Sequence, residues 1–454
     1  MKKLITLLLV LTGMVTTASA TASLYVNKDD NVSWWVTLRV YAWGDGDGNN
    51  NGWNNKNAGI VTSTVTRFGK TWYKYDLPDG FHSAVVQQGS IVGETFKVYN
   101  KTANITGLGT KDKYVIISNG TSGDTYKNDN NEDKKPYNYA YHEAPVYRGN
   151  GTIGWSTTTS NMTVVDDNTL TIDLYKDYVD AISDGDIRFR IYNFGNQLYP
   201  NTSGKKVVIA GSGVTEITNG SSDNYFSIDK PAYTYDHITV TAAYNTSTSK
   251  WTVSADAYIA KEVGTNLVAT FGSGADVDFT GIDGLTAQKL KVNTTNGTLI
   301  ATSATTLKAG EGAYLTATTA KTYYIPVAAS ASADTDHNDL KAITSTSEID
   351  QTDGAGNTRY ILSIVNAKVG FYKVNKNGSW CGAGTAYLET PYTTVAGARE
   401  YFWLDDETTG IEAVDVTPET VKEGAREYYN LNGQRVMNPS KGLYIVNGKK
   451  VIIK

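Results

Sequence analysis

In the stretch VYAWGDGDGNNNGWNN, residues 40–55, Trp43 and Trp53 stand among Gly, Asp and Asn. Large rings in so polar a segment point to a use for the rings themselves. An indole or phenol face packs on the flat C–H face of a pyranose, and neighbouring amide and guanidinium groups pair with sugar hydroxyls. Such binding needs little charge, and the net charge of −5 gives no electrostatic reason to expect nucleic acid or an anionic membrane. The rings of Tyr41, Trp43, Trp53 and Trp72 therefore form a candidate glycan-binding group. Gln87 and Gln88 are polar candidates by proximity.

Other chemistries fit less well. Asp45, Asp47 and Asn49 have the alternate spacing of the first ligands in a helix–loop–helix calcium loop, but the twelfth position is Lys56 where a bidentate Glu is required. A non-helical structural calcium site there is the one metal expectation, and no cofactor is expected. Asp and Glu total 46, so a carboxylate pair at glycosidase spacing will always be found. Most lie in turn clusters such as VVDDN and SDGDI, where local backbone bonding favours Asp. No His-Glu-x-x-His, nucleophile elbow or phosphate loop is present. No catalytic residues are expected, and an enzyme is not the expected class. The single cysteine, Cys381, has no internal disulfide partner, and an inert half-buried thiol is expected.

The elements that would position these rings are strands. Period-2 alternation recurs in WWVTLRVYAW, TWYKYDL, DIRFRIYNF, HITVTAAYN and WTVSADAY, between clusters of Gly, Asn, Asp and Ser. The expected fold class is all-β, with several β-sandwich domains in tandem and a small C-terminal sandwich. Val36, Leu38, Val40 and Ala42 share a core face, which puts Thr37, Arg39, Tyr41 and Trp43 on the wetter one. In residues 187–194, Arg188, Arg190, Tyr192 and Phe194 share the outer face. LRVYAWG at 38–44 and FRIYNFG at 189–195 hint at a repeated unit about 150 residues apart.

Lys2 and Lys3 before an apolar run, then Ala18-Ser19-Ala20, read as a signal peptide over 1–20, with no spanning helix after it. The polar run KNDNNEDKKP at 127–136 reads as a linker or long loop. Expected domains are 21–142, 143–260, 261–413, where Ala and Thr replace aromatics, and a tail over 414–454. Asn447-Gly448 between two short apolar runs is a two-residue hairpin signal.

Residues 24–126 resemble the bacterial starch-binding modules that accompany amylases, through VYAW followed by GWNN, then WYKYDLP, then YVIISNGTSGDTY. The resemblance implies Trp43 and Trp53 as sugar platforms, Tyr41 as support and Asn119 as a hydroxyl partner. The loop here has Trp53-Asn54-Asn55 without the family's Pro-Gly, and Phe81 to Lys111 intrude before the Asn119 strand. Residues 145–259 are more loosely similar to glycan-binding sandwiches of outer-membrane starch-utilisation systems. That likeness implies Trp155, Tyr192 and Tyr199 as a second set of rings. The tail, with YNLNGQRV and GLYIV before a basic end, resembles the C-terminal sorting domains of type IX secretion in Bacteroidetes. It implies secretion machinery as a partner and a secreted or cell-surface location.

Together these features lead to an exported carbohydrate-binding protein with polysaccharide, starch or a related α-glucan, as partner. A structural adhesin or surface spacer is the alternative, and an extracellular glycoside hydrolase the third.

Overall fold

The computed structural model describes residues 22–28, 32–44, 53, 58–121, 124–150, 160–331, 338–366, 368–392, 400–404, 428–429, 435–436, 442–446 and 449–453. Asp45, Asp47, Asn49 and Trp155 lie outside the described residues, as does the segment 1–20. The chain is nearly all β, with 58% in strands and 2% in helix. Two units separate along it, Met1–Leu404 and Asp405–Lys454.

The first sandwich packs two five-stranded sheets. One runs Tyr137–His142, Lys113–Thr121, Ser23–Lys28, Lys70–Asp76, Thr64–Arg67, with Ser23–Lys28 parallel to Lys113–Thr121. The other runs Ile60–Val61, Leu38–Gly44, Phe81–Val92, Thr95–Lys101, with Ile105–Thr106 beside the long strand. Between them Leu24, Val26, Leu38, Val40, Ala42, Ala84, Val86 and Val115 form one apolar cluster. The residues from Phe81 onward are built into this sandwich, with Phe81–Val92 the central partner of Leu38–Gly44. Val36 departs from its expected core face: it is 82% exposed, since the strand begins at Leu38 and Trp35 fills the core instead. The segment 127–136, expected as a linker or long loop, is the loop and returning strand of a hairpin. Tyr126–Lys127 and Asp133–Lys134 pair as a hairpin, and the Asn128 side chain accepts from the amides of Asn130 and Glu132 inside it.

In the second sandwich, a seven-stranded sheet centres on Asp186–Asn193. It faces a sheet of Thr163–Val164, Thr169–Tyr175, His237–Asn245, Lys250–Val263 and Lys321–Pro326. The composition change at 260 falls inside the strand Lys250–Val263, and the sheet's last strand comes from beyond it. Ala- and Thr-rich texture therefore marks no break in the hydrogen-bonded framework.

A further pair of sheets shares a core of Leu290, Val292, Tyr314, Leu340, Tyr360, Phe371 and Leu388. Gly272 and Gly312 are cross-strand partners. A Cβ on Gly272 would lie 2.4 Å from the Thr385 carbonyl, and one on Gly312 would lie 2.5 Å from the Ala386 Cβ. Only glycine lets the two layers approach this closely there. In the C-terminal unit the described residues form one four-stranded sheet, and no facing sheet for a sandwich is among them. Val446 pairs with Lys449, the register that a two-residue hairpin requires.

The first two sandwiches meet through two matching turns. Phe68-Gly69 and Phe194-Gly195 both occupy positive φ, at 52° and 73° and at 52° and 90°. Positive φ at both central residues suits a two-residue hairpin, but a bulky residue at the first position is strained. Both phenyl rings are buried and lie 6.0 Å apart. Burial at the junction offsets the backbone cost. Arg67, one residue before the turn, pairs with Asp112 at 3.2 Å in its own sandwich and with Asp167 at 2.6 Å in the next.

Candidate functional site

Alternation along Leu38–Gly44 sends Arg39, Tyr41 and Trp43 to the face away from the core. Trp53 lies over this face. The Tyr41 and Trp43 centroids are 5.7 Å apart at 34°, and Tyr41 and Trp53 are 5.0 Å apart, edge to face. Tyr41 and Trp43 are half-buried, and Trp53 is 36% exposed. The structure thus brings together three of the rings expected to act jointly.

Arg39 anchors this group from below rather than facing water. It is fully buried, against the expectation of a wetter face. Its Nε donates to the Ala58 carbonyl at 2.6 Å, and its Nη1 donates to Gln87 Oε1 at 2.6 Å and to the Trp53 carbonyl. The guanidinium thereby ties the loop that carries Trp53 to the sheet beneath it. Burial lowers its pKa. Gln87 is also fully buried, and its Nε2 has no hydrogen-bond partner. It supports the ring group rather than forming its rim. Gln88 pairs across from Leu38, on the opposite face from Gln87, and accepts from Asn100 Nδ2 at 2.8 Å. The two glutamines therefore do not act together.

Two residues missed from sequence complete the site. The Lys101 ammonium lies 5.7 Å from the Trp53 ring centroid and 4.9 Å from that of Tyr126. Burial pushes the Lys101 amine below its ordinary value, and Asp124 opposes that shift. Tyr126 hydroxyl donates to the Tyr99 carbonyl at 2.9 Å. No local motif marks either residue; the pairing of Gln87 with Lys101 places Lys101 beside Trp53, and Tyr126 joins through its ring contact with Lys101.

Trp72 is removed from the binding group. It is 0% exposed, with its Nε1 donating to the Arg67 carbonyl at 3.1 Å. Its ring meets Tyr114 at 5.0 Å and Phe194 at 4.8 Å, inside the junction between sandwiches. A ring sealed on all sides offers no face to a ligand. Asn119 lies on the strand Lys113–Thr121 of the opposite sheet from Tyr41 and Trp43.

In the second sandwich Tyr192 and Tyr199 share the outer face of adjacent strands and are half-buried. The Arg148 guanidinium covers Tyr192 at 4.1 Å from its centroid. That ring face is occupied by a side chain of the protein. Among the described residues no cluster of His, Cys, Asp and Glu could hold a metal ion, and no helix is long and apolar enough to cross a membrane. Cys381 is free and half-buried, and burial raises its thiol pKa.

Comparison of the chain with family models, with curated proteins and with solved structures gave no match.

Proposed function

We propose that this protein binds a polysaccharide without cleaving it, through the outer face of the first sandwich. The observation that carries the reading is the convergence of Tyr41, Trp43 and Trp53, partly open to water, on a base tied down by Arg39. Stacking of sugar faces on these rings supplies most of the binding. The resemblance of the N-terminal region makes starch or a related α-glucan the expected polymer. One such site binds at around millimolar, about −4 kcal/mol, and a second linked site adds avidity of about 10²–10⁴ on a polymer. The tail and the N-terminal leader point to export and display at the cell surface.

The test is native-gel retardation of wild type and Trp43→Ala in gels containing amylopectin, dextran or xylan. Retardation of wild type by amylopectin, relieved in the variant, is the expected result. Equal mobility in every gel would instead leave the role of a surface spacer, for which the packed junction is suited. Release of reducing sugar from amylopectin would point to the hydrolase.

A further inference from the structure

The outer face of the sheet containing His237–Asn245 gathers groups that neither the ring site nor the core uses. Alternation turns Asp173 and Tyr175, His237, Thr239 and Thr241, Ser254, Asp256 and Tyr258, and Tyr324 away from the core. Register sets them in rows. Tyr175, His237 and Tyr258 stand side by side, and Asp173, Thr239 and Asp256 form the next row.

His237 is only 9% exposed and is ringed by tyrosines. It stacks on Tyr258 at 4.9 Å and 15°, and meets Tyr324 at 5.3 Å and Tyr175 at 5.6 Å. Its Nδ1 lies 2.8 Å from Asp236 Oδ2. A carboxylate only accepts, so Nδ1 donates in this pair. Tyr175 and Tyr324 are 57% and 49% exposed.

The charge on this face is one-sided. Several carboxylates elsewhere are paired with cations: Asp186 with Arg188, Glu143 with Lys113, Asp112 and Asp167 with Arg67. Among the described residues Asp173 receives only the Thr239 hydroxyl, at 2.7 Å. Asp256 has no hydrogen bond or ion pair among the described residues, and burial alone raises its pKa. One strand, carrying Thr239, lies between the two carboxylates and sets their Cα atoms roughly 10 Å apart, so a ligand that reaches both lies over Thr239. Carboxylates are acceptors, so the complementary ligand is rich in donors and positively charged. Exposed phenol rings at the edge and the hydroxyls of Thr241 and Ser254 add a stacking face and polar contacts suited to a sugar.

We propose that this face binds an amino sugar carrying a free ammonium group, held between Asp173 and Asp256 with its ring against Tyr324 or Tyr175. The site is separate from the one at Trp43 and does not depend on it.

Titration calorimetry of the full chain with a glucosamine trimer and with its fully N-acetylated form provides the test. The expected outcome is binding of the free amine about tenfold or more tighter than the acetylated form. Asp256→Asn and Tyr324→Ala, each checked for wild-type circular dichroism, lose that preference, whereas Trp43→Ala keeps it. Equal binding of the two trimers overturns the proposal. So does an undiminished preference in a folded Asp173→Asn/Asp256→Asn double variant, or binding of a lysine-rich peptide with no binding of the amine trimer.

Discussion

The strands LRVYAWG and FRIYNFG carry Arg, Tyr and a large aromatic at the same spacing, yet the fold puts the last ring of each to opposite use. In the first, the register slips between Trp43 and Gly44 and the chain enters the long Gly-rich loop. Trp43 stays at the sheet's edge beside Tyr41 and Trp53. In the second, Phe194-Gly195 turns back at once, with Asn193 opposite Asn196. Phe194 is driven to positive φ and buried against Trp72 and Tyr114. The arginines differ less. Arg39 holds the carbonyls of Trp53 and Ala58, and Arg190 those of Asp223 and Asn224, so each pins a loop from below. The length of chain after the motif, not the motif itself, decides whether its terminal ring stays half-open at a sheet edge or is buried against a neighbouring domain.

The largest expected effect separates these two uses. Trp72→Ala empties the junction of an indole and costs about 3–5 kcal/mol of folding stability. Trp43→Ala, at a half-buried edge, costs much less but removes polysaccharide binding. Denaturant unfolding of both variants checks the contrast. A Trp72→Ala protein as stable as Trp43→Ala would show that the two rings do the same kind of work.

Strand alternation made the all-β class legible, along with the division of Leu38–Gly44 into a core face and an aromatic face. The turn chemistry of Asn447-Gly448 was legible too. Trp72 was not, and the reason is physical. The sheet holding Ser23–Lys28 and Lys70–Asp76 is buried on both faces. Leu24, Val26 and Val115 pack into the first sandwich, while Tyr25, Trp72 and Tyr114 pack against the second. A period of two says that neighbours face opposite ways, but not which side meets water. Lys101 and Tyr126 were hidden for a different reason. They reach Trp53 through long-range strand pairing and a hairpin whose sequence, KNDNNEDKKP, is polar enough to pass for a linker. The rows of Asp173, Thr239 and Asp256 likewise exist only once the register of three strands is known.

The junction also sets a response to acid that the ring site lacks. His142 lies edge-on to Phe194 at 5.6 Å, and its buried Nε2 has no hydrogen-bond partner. Burial holds its pKa below the usual 6.5. A depressed value means that the folded state favours the neutral ring. Its contribution is whole above about 6.5 and is lost as pH falls through the folded value. Glu143, held low mainly by its hydrogen bond from Lys113, follows the same sign at lower pH. Unfolding free energy should therefore fall between about pH 7 and pH 5 in wild type and less so in His142→Gln. Parallel pH profiles would remove His142 as the source.

The smallest effect tests the character of the ring site. The Lys101 ammonium rests over Trp53 and Tyr126 and steadies both rings by cation–π contact, a contribution of about 0.5–1 kcal/mol at a partly exposed position. Lys101→Met keeps most of the aliphatic stem and removes the charge. If neutral sugar faces stack on these rings, the variant binds polysaccharide only two- to fivefold more weakly, roughly that same energy. Its affinity should change no more with salt than that of wild type, because no charge of the ligand is engaged. An anionic ligand would behave otherwise: the loss would be large, and wild-type binding would weaken steeply as salt rises. Affinity electrophoresis at low and high salt distinguishes the two. A steep salt dependence confined to wild type would make Lys101, rather than the tryptophans, the centre of recognition.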